Sequence, residues 1–75
     1  MLGTEFGVIR RMSAPEQRVV YFEHIALGGS VKVTAIDSVT AVEVSIVGPA
    51  SAAKSDLERL ALRKLQVRLK RDEAS

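Results

Sequence analysis

Hydrophobic periodicity changes at Gly48-Pro49, and that change constrains the fold more than any other feature of the chain. Before it, Val42, Val44 and Ile46 alternate with Glu43 and Ser45, the period of two expected of a strand with one buried face. Pro49 has no amide hydrogen to give to a ladder, so strand pairing must end there. After it, Leu57, Ala61, Leu65 and Leu69 recur along one helical stripe, with Leu62 beside them. Neither Gly nor Pro interrupts residues 56–71, which are mostly good helix formers. Acidic Asp56 and Glu58 at the start, and basic Lys70 and Arg71 at the end, suit the helix dipole. Two starts fit the residues. Pro49 can be the first helical position with Gly48 as cap. Alternatively Ser55 caps, with Ser55-Asp56-Leu57-Glu58 as a capping box in which Glu58 reaches back to the Ser55 amide. The second is preferred, with a looser turn over 50–54.

Upstream of this boundary, residues 19–27 are rich in β-branched and aromatic side chains and read as a first strand. Gly28-Gly29-Ser30 is a turn signal, since either glycine takes positive φ at little cost. Residues 31–36 form a second strand, with Val31, Val33 and Ala35 on one face and Lys32 and Thr34 on the other. Asp37-Ser38-Val39-Thr40 reads as another turn, in which Asp37 can bond the backbone two residues on. Three short strands with short connections imply an antiparallel meander. The expected fold is therefore α+β: a three-stranded antiparallel β-meander followed by one C-terminal α-helix packed on the sheet, β-β-β-α.

Residues 1–18 show neither period and are expected to be a largely disordered extension. Met12-Ser13-Ala14-Pro15 looks like a natural start, so 1–11 read as an upstream or expression-derived stretch. The alternative is that Phe6, Val8 and Ile9 form a short strand or pack on the core. The single domain then spans 19–71, and 72–75 form a disordered tail.

With 75 residues, such a domain buries only about 60% of its unfolded surface and must find stability with no disulfide, because the chain has no cysteine. A cysteine-free chain without a signal-peptide pattern reads as cytoplasmic. No apolar run approaches the ~20 residues of a membrane span. Thiolate zinc is excluded, and His24 is the only histidine, so no metal or other cofactor is expected.

No catalytic constellation stands out, and no enzyme is expected beyond a minor reading in which an active site is built across a subunit interface. His24 lies mid-strand beside Glu23, and strand neighbours point to opposite faces, so those two cannot pair. It reads as a surface or half-buried histidine. Gly28-Gly29-Ser30-Val31-Lys32 resembles a phosphate loop only superficially, because a strand rather than a helix follows it. Gly48-Pro49-Ala50-Ser51 can offer amides to an anion, but a plain strand-to-helix connection is the commoner meaning.

The net charge of +2 is too small to imply nucleic acid by itself. The helix faces are more informative. Leu60 and Val67 fall on a flank away from the core stripe, which a lone helix on a sheet does not need. Together with Val19 and Tyr21 on the first strand they form a candidate self-association surface, and a homodimer is the first reading. An unidentified protein partner is the related alternative. Arg59, Arg63 and Lys70 share the remaining face with Gln66 and form a candidate nucleic-acid ridge, the second reading. Three strands then a helix is also the order of the latter part of a double-stranded-RNA-binding domain. There, basic residues open the final helix. Here Lys54-Ser55-Asp56-Leu57-Glu58 carries two acids against one lysine.

The runs Val31-Lys32-Val33-Thr34-Ala35-Ile36-Asp37, Glu43-Val44-Ser45-Ile46-Val47-Gly48-Pro49-Ala50 and Leu57-Glu58-Arg59-Leu60-Ala61-Leu62-Arg63-Lys64-Leu65, with Val20-Tyr21-Phe22-Glu23, resemble a family of short, mainly alphaproteobacterial proteins known only as a domain of unknown function. The likeness covers about residues 19–70. It implies a bacterial cytoplasmic protein and supplies no activity. One position departs: a Thr-Gly turn is expected where this chain has Thr40-Ala41, and alanine tolerates positive φ poorly.

Overall fold

The computed structural model describes residues 18–73 and, as backbone only, 11–13 and 74. Four strands precede one helix: β1 (Arg11–Ser13), β2 (Val19–Leu27), β3 (Ser30–Asp37), β4 (Glu43–Pro49) and α1 (Lys54–Ala74). The sheet runs β1-β2-β3-β4, every pair antiparallel, and α1 packs on β3 and β4. The meander β2-β3-β4 followed by a helix is the expected α+β order. The addition is β1, in which Arg11, Met12 and Ser13 pair with Tyr21, Val20 and Val19. The reading of 1–18 as largely disordered is thus corrected at Arg11–Ser13. A three-residue strand carries too little alternation to be seen in sequence; its signal is the partner edge of β2. Residues 1–10 and 14–17, including Phe6, Val8 and Ile9, lie outside the described residues.

Local chemistry explains each connection. Leu27 pairs with Ser30 across Gly28-Gly29, and Gly28 has φ +63° while Gly29 does not share the positive range. That is the type II′ hairpin, whose twist matches the strands it joins. At the other end of β4, Pro49 pairs with Ser30 as the last residue of the strand, and the Ala50 amide donates to Gly29 O at 2.8 Å. Bonded residues alternate along an antiparallel ladder, so the Pro49 nitrogen points away from β3 and its missing hydrogen costs no ladder bond. The chain then turns, with the Ala52 amide donating to Pro49 O at 3.0 Å, and α1 begins at Lys54. Neither expected helix start is observed. The first helical amides, of Asp56 and Leu57, donate to Ala53 O, so Ser55 sits inside the first turn rather than capping it. At Gly48 the sheet and helix come so close that an added Cβ would meet Leu57 Cδ2 at 2.6 Å.

Alternation sorts the sheet into two faces. Val20, Phe22, Val33, Ala35 and Val44 turn towards α1 and are buried with Leu57, Ala61 and Leu65. Ile46, Leu62 and Leu69 pack against them, partly buried. The expected core of Val33, Val44, Ile46, Leu57, Ala61 and Leu65 is therefore assembled in one cluster. The opposite face carries Tyr21, Glu23, Ile25, Lys32, Ile36 and Val47, and the Thr34 and Ser45 hydroxyls share a 2.7 Å hydrogen bond there.

The β3–β4 turn is held by Asp37, whose side chain is fully buried. Its Oδ2 accepts hydrogen bonds from the Thr40 amide (2.9 Å) and hydroxyl (2.7 Å). The bond thus reaches three residues on, not the two expected. Ala41 takes the left-handed conformation, φ +64°, where the family resemblance led us to expect glycine. A left-handed non-glycine residue costs about 1–2 kcal/mol, and glycine's extra chain entropy returns part of that. Ala41→Gly is expected to stabilise the fold by about 0.5–1 kcal/mol and to raise the melting temperature by a few degrees. An unchanged or lower melting temperature would show that the turn carries no such strain.

Candidate functional site

Three constellations bear on function. The first was missed in sequence. His24 and Glu58 are both buried, 7% and 6% exposed, and His24 Nε2 lies 3.0 Å from Glu58 Oε2. The expectation of a surface or half-buried histidine is corrected. The partner was not sequence neighbour Glu23 but a carboxylate one helix away. The signal was available: Glu58 falls on the core-facing arc of α1, between Leu65 and Leu69, and His24 shares its strand parity with Val20 and Phe22. A carboxylate on that arc needs a polar partner. The contact is short but off the hydrogen-bonding line, and neither ring nitrogen has an aligned hydrogen-bond partner among the described residues. It is an ionic contact when the imidazole is protonated.

This pair clasps β2 to α1 beneath the helix. Removing one member of a buried pair leaves the other uncompensated, whereas replacing both with apolar groups is often neutral or better. Glu58→Leu alone is therefore expected to cost about 3–5 kcal/mol, and His24→Leu with Glu58→Leu to recover most of that loss. A double-mutant cycle by urea unfolding checks this; additive losses would show that the two groups do not interact.

The second constellation is an open groove of about 400 Å³ beside α1. Val44, Leu60 and Val67 supply its apolar lining, and Arg63, Lys64, Arg68 and Arg71 its charge. Leu60 and Val67 remain 56% and 59% exposed, on the flank where the helical spacing places them. Lys64 Nζ turns back to donate to the Ser45 carbonyl at 2.8 Å, on the outer edge of β4. Val19 and Tyr21 lie elsewhere. Both belong to the far face of the sheet, on a stretch of β2 whose edge pairs with β1. The structure therefore keeps Leu60 with Val67 and separates them from Val19 and Tyr21.

The third is the basic ridge. Arg59, Arg63, Gln66 and Lys70 line a second open groove, of about 530 Å³, with Leu60, Leu62 and Val67. Arg59 Nη1 lies 3.6 Å from Asp56 Oδ1, so one of the cations faces a carboxylate. Among the described residues no helix is long and apolar enough to cross a membrane.

No curated protein and no solved structure matches the chain. The family model described as Domain of unknown function (DUF6898) matches residues 17–72, a span that takes in β2 through most of α1 and agrees with the likeness seen over 19–70. Covering well over half of the sequence with the β-β-β-α unit inside it, that match makes this chain a member of the DUF6898 family.

Proposed function

We propose that this domain is a cytoplasmic, non-enzymatic protein-interaction module that self-associates as a homodimer through the outer flank of α1. The exposure of Leu60 and Val67 carries the reading. Each forgoes about 1.5–3 kcal/mol while it stays in water, in a domain too small to waste apolar surface. Strand pairing is the poorer route to a dimer. On the β4 edge the Ser45 carbonyl is already engaged by Lys64 and Pro49 offers no amide, devices that protect exposed edges. The buried His24–Glu58 pair lines neither groove, which supports a structural role for it. Leu60→Glu with Val67→Glu is expected to leave the melting temperature unchanged when the protein is dilute and to abolish association at tens of micromolar. A variant that associates like the parent would sink the reading.

The basic ridge supports a second reading, nucleic-acid binding through Arg59, Arg63 and Lys70. Affinity would then fall steeply with salt, and Arg59→Glu with Arg63→Glu would abolish it. A salt-titrated assay with RNA and DNA separates the readings; a sub-micromolar, salt-sensitive complex would reverse their order.

A further inference from the structure

Resting on the self-association proposed above, we infer the pose of the partner: a second copy of this chain lies antiparallel across α1, with the two-fold axis crossing the helix between Arg63 and Lys64. Four residues of the outer flank are arranged symmetrically about that point. Leu60 and Val67 are equidistant from it, and so are Asp56 and Arg71 farther out. At 100° per residue Asp56, Leu60, Val67 and Arg71 fall within an arc of about 60°, with Arg63 and Lys64 just outside it on opposite sides. The axis also coincides with the middle of α1, Lys54–Ala74, so the two helices overlap along their full length.

An antiparallel partner sets Leu60 against Val67 of the partner subunit, about 10 Å from the symmetric contact, and Asp56 beside Arg71 of the partner subunit at both ends. A parallel partner would set Asp56 against the partner's Asp56 and Arg71 against the partner's Arg71, opposing like charges. Antiparallel helix dipoles favour the same choice. The cations nearest the axis are accommodated. Lys64 is drawn off to the Ser45 carbonyl, and Arg63 borders the solvent-facing ridge with Arg59 and Lys70. Asp56 can turn to a partner because its contact with Arg59 is long, at 3.6 Å between exposed side chains, and such pairs are weak.

The test uses the full chain, whose lack of cysteine makes introduced cysteines unique. Under mild oxidation a mixture of Leu60→Cys and Val67→Cys proteins is expected to give the mixed disulfide dimer, because only that pair comes within bonding reach. Either protein alone is expected to cross-link poorly. Asp56→Arg and Arg71→Asp are each expected to weaken association about tenfold, and the double reversal to restore it to within about threefold. Restoration cannot come from a better monomer, since the double variant opposes the helix dipole at both ends. Leu60→Cys protein that cross-links efficiently with itself would overturn the pose in favour of a parallel one. Charge reversals without effect, in a protein that Leu60→Glu with Val67→Glu still makes monomeric, would overturn the pose and leave the self-association reading standing. Association lost on Val47→Glu but kept in Leu60→Glu with Val67→Glu would move the interface to the open sheet face and overturn both.

Discussion

Asp37→Ala is expected to destabilise the domain by about 3–5 kcal/mol, the scale of breaking a buried, bonded ion pair. The carboxylate is fully buried. Its Oδ1 lies 2.9 Å from Arg18 Nε, off the hydrogen-bonding line and thus mainly an ionic contact, while Oδ2 accepts from the Thr40 amide and hydroxyl. Alanine would strand a partly buried guanidinium and leave the Thr40 amide unmet. The surrounding backbone is tied to the same residue. The Asp37 amide donates to Val42 O, its carbonyl accepts from Ala41, and Ser38 exchanges bonds with Val19. Loss of the side chain therefore loosens both the β3–β4 turn and the start of β2. A domain of this length has about 4–11 kcal/mol to lose, so the variant should sit near the edge of folding. The urea midpoint reads the effect; a midpoint equal to the parent's would show that the buried carboxylate contributes nothing net.

Leu65→Ala is expected to cost about 2–5 kcal/mol. Leu65 is fully buried in the cluster of Val33, Ala35, Val44, Leu57 and Ala61, where backbone-bonded strands leave little freedom to close a cavity. Leu60→Ala, on the exposed flank, should change the stability of the dilute protein by no more than about 0.5 kcal/mol. The contrast between two leucines on one helix tests its rotational phase. Equal melting temperatures for the two variants would mean the helix faces the sheet differently.

Features encoded by local pattern were readable before the structure. The alternation through Val44 and Ile46, the stop at Gly48-Pro49 and the stripe Leu57, Ala61, Leu65 placed three strands, the helix and the shared core. Exposure of Leu60 and Val67 followed from the same helical arithmetic. Features that depend on distant partners were not readable in this way. The Ser55-Glu58 spacing offered a plausible local bond that hid the pairing of Glu58 with His24. Asp37 was seen as a turn residue, but its contact with Arg18 joins segments that no periodicity links. The edge role of β2 at Val19 and Tyr21 changed because β1 pairs there. Ala41 showed the opposite case: the residue type argued against positive φ, and the turn, braced by Asp37, imposes it all the same.

The central claim is that α1 presents Leu60 and Val67 to a second copy of the chain. Sedimentation equilibrium of the unmodified protein, from about 1 to 100 µM at moderate salt, tests it most directly, since a modest helix–helix interface has a dissociation constant on the micromolar scale. The account predicts a mass that rises with concentration from monomer towards dimer and no further. A monomer at every concentration would contradict it.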